Sequence, residues 1–105
     1  MVEVASDRLA EDIVMLDLRQ LTSFADYFVI MSGESSRQIQ ALEEDITQAL
    51  GEAGVPRFHR EGAPNSGWVL LDFSDVIVHI FGPDERDFYG LEQVWGRAPQ
   101  VVRVL

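Results

Sequence analysis

Cysteine and lysine are both absent from this 105-residue chain. Without cysteine there is no disulfide, no thiolate zinc site and no thiol nucleophile. No hydrophobic run approaches the ~20 residues of a membrane-spanning helix, so no membrane insertion is expected. Internal repeats, low-complexity tracts and long linkers are missing as well. The start, Met1-Val2-Glu3-Val4, shows neither a basic segment nor a long apolar one, and nothing resembles an Arg-rich transit peptide. The expectation is a cytoplasmic protein.

What is present is acidic. Eighteen Asp and Glu face eight basic residues, all arginine, for a formal charge of -10. Such a balance argues against general binding of nucleic acid or anionic lipid, where cationic side chains supply most of the attraction. It favours basic partners, including proteins that themselves coat nucleic acid. The plainer alternative is an acidic surface that serves solubility alone. Hydrophobic residues at 47% and charged residues at 25% are ordinary globular values. The length suits one domain spanning 1–105.

The pattern of elements alternates as in an α/β domain. Residues 3–10 read as a short helix. Asp12 to Arg19 reads as a strand with Ile13 and Met15 on one side and Val14, Leu16 and Leu18 on the other, which suits a central position. Ala25 to Met31 is a second strand of the same kind. Ser35 is the expected N-cap of a helix, with Gln38 completing an S-x-x-Q capping box. That helix carries Ile39, Leu42, Ile46, Ala49 and Leu50 on one stripe and Glu43, Glu44, Asp45 and Gln48 on the other face. Gly51, Gly54 and Pro56 end it. Arg57 to Glu61 suggests a short strand, and Gly62 to Gly67 a polar loop. Trp68 to Phe73 and Val76 to Phe81 form a hairpin. A last helix is expected from about Glu85 to Trp95, N-capped by Asp84, with Phe88, Leu91, Val94 and Trp95 inward; Gly90 in its middle has no explanation. Val101 to Leu105 suits an extra edge strand. The expected fold is a single small α/β domain, a mixed four- to five-stranded sheet with helices packed on it.

A two-residue turn fixes the faces of the hairpin. Val69, Leu71 and Phe73 then lie with Val76, Val78 and Ile80 on a wholly apolar face. Trp68, Leu70 and Asp72 lie with Ile77, His79 and Phe81 on the other. Large apolar groups mixed with an acid and an imidazole have the composition of an interaction hot spot. The alternative is that another helix or a chain terminus covers this face.

Catalytic patterns are weak. His59 and His79 lie on different elements without metal-ligand spacing, so a solvated or hydrogen-bonded role is expected for each. Gly33-Glu34-Ser35-Ser36 stands between a strand and a helix, where phosphate can bind, but lacks both the Walker lysine and a GxGxxG pattern. Asp17, Asp26 and Asp72 show no spacing that demands convergence on a metal. No Ser-His-Asp set is evident. No catalytic residue, cofactor or metal is expected.

AEDIVMLDLRQLTSFADYFVIMSGESSRQIQAL resembles the first half of the Iojap family, whose bacterial members are called ribosomal silencing factor S. SGWVLLDFSDVIVHIF followed by RDFYGLEQVW resembles the second half. Together these blocks run from about Ala10 to Trp95. The resemblance implies a nucleotidyltransferase-like fold without the enzyme's chemistry: Arg19 stands where the second acid of a D-x-D pair would be. It implies binding to the fourteenth protein of the large ribosomal subunit, a block on subunit joining, translational repression, and a homodimer when free. The family's partner surface resembles the Trp-bearing hairpin face. The resemblance therefore points to Trp68, Leu70, Asp72, Asp75, Ile77 and His79, with Arg86, Asp87 and Tyr89 as its rim. Competing alternatives are a nucleotidyltransferase-like enzyme using Gly33, Ser35, Asp17 and Asp26, and a homodimeric scaffold with no ribosomal role. The chain departs from the family pattern at Arg8-Leu9-Ala10, where a Lys-Lys-Ala step is usual, and at Gly90.

Overall fold

The structure is a computed structural model that describes Ala5 and residues 10–105. The helix expected over 3–10 falls almost wholly outside those residues. Two apolar-faced strands open the described fold, β1 (Glu11–Asp17) and β2 (Tyr27–Ser32). Helix α1 (Ser36–Glu52) follows, then β3 (His59–Ala63), a 3-10 turn over Pro64–Ser66, β4 (Trp68–Asp72) and β5 (Val76–Phe81). The chain closes with α2 (Pro83–Tyr89), α3 (Leu91–Val94) and β6 (Gln100–Val104). All strands join one sheet in the order β3-β4-β5-β2-β1-β6. The pair β2–β5 is parallel and the others are antiparallel. The α/β class and mixed sheet are as expected. Among the described residues the strand number is six rather than four or five, because the tail pairs along β1 as an edge strand.

Two-sided strands need cover on both faces, and two separate clusters supply it. On one face α1 lays Ile39, Leu42 and Ile46 over Ile13, Val29, Met31, Val69, Leu71, Val78 and Ile80. On the other, Val14, Leu16, Phe28, Ile30 and Phe81 lie under Leu91, Trp95 and Ala98 of the C-terminal segment. The Ser35 hydroxyl accepts from the Gln38 backbone N–H at 3.1 Å, as the capping pattern requires. Gln38 Oε1 reaches one residue further back than the box predicts, to the Glu34 N–H at 2.7 Å.

Three expectations fail for physical reasons. Glu43 is buried rather than on the solvent face, because its carboxylate takes both Nε and Nη2 of Arg60 from β3. The pair ties the edge strand to α1. The last helix is broken in two at Gly90, whose φ of 56° is left-handed and caps α2 through a bond to the Arg86 carbonyl. Glycine fits there because a side chain is disfavoured in that conformation. The break turns Phe88 and Val94 outward, to 82% and 69% exposure. The N-cap of α2 is Gly82, not Asp84; Pro83 takes the first helical position, where its missing N–H costs nothing.

Candidate interaction surface on the hairpin

The hairpin register is Trp68 opposite Phe81, Leu70 opposite His79 and Asp72 opposite Ile77. These six residues share a face, as the two-residue turn predicts. The turn is Ser74-Asp75, with Ser74 at φ 77°. Asp72 Oδ1 accepts from the Ser74 N–H at 2.7 Å and stabilises it.

This face is neither free nor fully covered. Trp68, Leu70 and Ile77 are half-buried. His79 is only 3% exposed. It was expected among the partner-binding residues, but burial removes it from direct contact. It lies edge-on to Phe28, with ring centroids 4.6 Å apart, and Trp68 Nε1 donates to its Nδ1 at 3.2 Å. Burial pushes its pKa down to about 4, so the ring is neutral near pH 7 and can accept that bond. His79 therefore sets the orientation of Trp68 from below. Phe81 packs 5.1 Å from Trp68, and Tyr89 packs 4.4 Å from it. The Tyr89 ring extends the surface outward, and Phe88 stands beside it edge-on at 5.1 Å.

The rim residues divide. Asp75 and Asp87 are exposed and Asp72 is half-buried. Arg86 points away from this surface. Its side chain is only 10% exposed and pairs with Glu92 at 2.6 Å. It also donates to Ser32 Oγ at 2.9 Å and lies 3.7 Å from Asp12. Asp12 in turn holds Arg103 of β6 through both carboxylate oxygens. Arg86 thus joins α2 to β1, β2 and α3, and its place on the rim is corrected to a structural one. Its pairing with an acid six residues ahead carries no helical spacing that could have revealed it.

Sequence reasoning passed over Glu61. Strand β3 pairs Glu61 with Leu70 and Ala63 with Trp68, so Glu61 stands on the same face. Gly62 makes this possible: at φ 86°, a Cβ there would collide with the Trp68 carbonyl. Glu61, Gly62 and Ser66 then border a depression of about 250 Å³ whose other walls are Trp68, Leu70 and Tyr89.

The residues of the enzyme alternative are not brought together. Glu11 pairs with Ser32 at one end of the β1–β2 ladder and Asp17 with Tyr27 at the other. Asp17 and Asp26 therefore lie roughly 17 Å of strand away from the Gly33 loop. Asp17 is occupied by Arg19, whose Nε and Nη2 bind its two oxygens at 3.0 and 2.8 Å. The hollow beside Gly33 and Ser35 is lined by Glu34 and Glu85 and by no basic side chain, which repels a phosphate. Among the described residues no cluster of His, Asp and Glu could hold a metal ion. No helix is long and apolar enough to cross a membrane, again among the described residues.

Known proteins resemble this chain along most of its length. A family model described as ribosomal silencing factor during starvation (RsfS) matches residues 1–104. The ribosomal silencing factor RsfS of Bacillus subtilis is 44% identical over 89% of this chain and 79% of its own length. The chloroplastic protein Iojap of Zea mays is 37% identical over 96% of this chain and 44% of its own. Among solved structures, a Chromobacterium violaceum protein superposes with a TM-score of 0.86 at 39% identity, over 90% of this chain and 79% of that one. A match along nearly the whole chain, in sequence and in fold, leaves one assignment: this chain belongs to the RsfS/Iojap family of ribosomal silencing factors.

Proposed function

We propose that this protein is a translational repressor, not an enzyme, that docks on a basic protein of the large ribosomal subunit, the fourteenth, and by its bulk blocks joining of the small subunit. The observation that carries this reading is the half-open apolar strip of Trp68, Leu70 and Ile77, extended by Tyr89 and flanked by Glu61, Asp72, Asp75 and Asp87. Apolar centres with charged rims are how protein interfaces are built. Acid on the rim of a chain of net charge -10 complements a basic partner and speeds encounter. Trp68 is the anchor, held by His79 and Tyr89. The setting is the cytoplasm, and the free protein is a homodimer.

The test is sedimentation with isolated large subunits, with Trp68→Ala in parallel and Leu70→Ser as a second variant whose side chain is already half-exposed. Wild type should co-migrate, and each variant should bind more weakly, Trp68→Ala by about 2 kcal/mol or more. Association should slow as salt is added, because the added ions screen the attraction exerted by the rim charges. Wild-type protein that stays at the top of the gradient rejects the ribosomal reading. Variants that bind as wild type does reject this surface.

A further inference from the structure

The depression beside Trp68 has a character that apolar burial alone does not call for. Leu70 lines it together with Trp68 and Tyr89, whose rings pack 4.4 Å apart, and with the exposed Glu61. The Glu61 side chain is 66% exposed, and its only ion-pairing neighbour among the described residues is His59, 3.4 Å away. No basic residue lines the depression. An anion would therefore meet a carboxylate with no compensating charge, and a purely apolar side chain would desolvate that carboxylate without pairing it.

The chain itself shows what fits such a combination. Arg19 lies with its guanidinium 5.4 Å from the centre of the Tyr27 ring, and its fork binds both oxygens of Asp17. Carboxylate and aromatic ring are held together there around one arginine. At the depression Glu61, Trp68 and Tyr89 bring the same two components, a carboxylate and aromatic rings, to one place, and none of the residues lining it is an arginine. We propose that this depression receives one arginine side chain of the docking partner, its guanidinium against the Trp68 and Tyr89 rings and paired with the Glu61 carboxylate. The proposal rests on the docking reading above and specifies its chemistry. The methylenes of the incoming residue cover Leu70, and the planar charged group gains both ring stacking and a two-point bond. Lysine gains less, because its ammonium is a compact, strongly hydrated charge with no flat face.

Two measurements test this. In the first, the affinity of large subunits is compared for wild type, Glu61→Gln, Glu61→Arg and the control Glu52→Gln, which makes the same charge change on the opposite side of the sheet. Glu61→Gln should lose about tenfold, Glu61→Arg more, and the control less than about twofold. In the second, the indole N–H resonances of Trp68 and Trp95 are followed by NMR as acetyl-arginine-methylamide or its neutral citrulline analogue is added. The arginine compound should move the Trp68 signal and spare Trp95, and Glu61→Gln should weaken that response. If wild type binds subunits and Glu61→Gln binds equally, the arginine pocket is overturned and the ribosomal reading stands. If wild type does not bind subunits but arginine moves Trp68 selectively, the pocket stands as a receptor for a different basic protein. If citrulline acts as arginine does, charge recognition is overturned.

Discussion

The two faces of the sheet are built from the same strands and serve different ends. Beneath α1 the packing is closed: Ile13, Val69, Leu71, Val78, Ile80, Leu42 and Ile46 are wholly buried. The opposite face is aromatic and covered over only part of its width. Trp95 meets Phe28 edge-on at 5.7 Å over the centre, while Trp68, Leu70 and Ile77 toward the β3 edge stay half-open. The aliphatic face holds the fold together. The aromatic face has a buried base in His79, Phe28 and Phe81 and an exposed layer above it. A surface anchored on a rigid base loses little conformational freedom when it binds, which favours affinity.

The sharpest way to break this contrast is to truncate one leucine on each face. Leu42→Ala should cost about 3–4 kcal/mol of stability, because the cavity it leaves lies in a closed core. Leu70→Ala, at a side chain only partly buried, should cost less, about 1–2 kcal/mol. Urea denaturation of both variants measures the difference; equal losses would erase the distinction between the faces.

Acid should separate them next. The folded pKa of His79 lies near 4, below its unfolded value of about 6.5, so the unfolded chain binds the extra proton first. The stability linked to the neutral ring is complete above pH 6.5. It declines as the pH falls through the window and is lost once the folded pKa is passed. The total is of order 3 kcal/mol. Protonation also removes the acceptor for the Trp68 indole, so the aromatic face should loosen first. Comparing denaturation of wild type and His79→Gln between pH 4 and 6.5 isolates this contribution from that of the carboxylates. Parallel pH curves would sink it.

The smallest expected effect concerns the boundary of the aromatic face. Gly90→Ala should cost about 1 kcal/mol, because φ 56° is a conformation that residues with a Cβ avoid. The loss is readable in thermal melting. An unchanged midpoint would mean that the turn between α2 and α3 adjusts without penalty.

Legibility in the sequence followed the range of the interactions. β1, β2, α1 and the hairpin were readable because period-two and helical patterns, the Ser35 cap and a two-residue turn are local signals. The shared face of Trp68, Leu70, Asp72, Ile77 and His79 followed from the turn alone. The edges were less readable: β3 lies two residues beyond the expected Arg57 to Glu61, and its pairing with β4 brings Glu61 into the surface. Gly90 was visible as an anomaly, yet its meaning depended on the backbone angle. The long-range ion pairs, Glu43 with Arg60 and Arg86 with Glu92 and Asp12, left no trace in local spacing.

By itself the sequence determined the acidic charge, the α/β alternation, the two-sided central strands and the family resemblance, because each is a property of composition or of near neighbours. Tertiary structure alone decided which apolar groups stay exposed. His79 was buried and Phe88 exposed, Arg86 was drawn inward, and Glu61 was set beside Trp68. The physical reason is that burial is decided by what packs against a side chain from elsewhere in the chain, and a one-dimensional pattern records only which way that side chain faces.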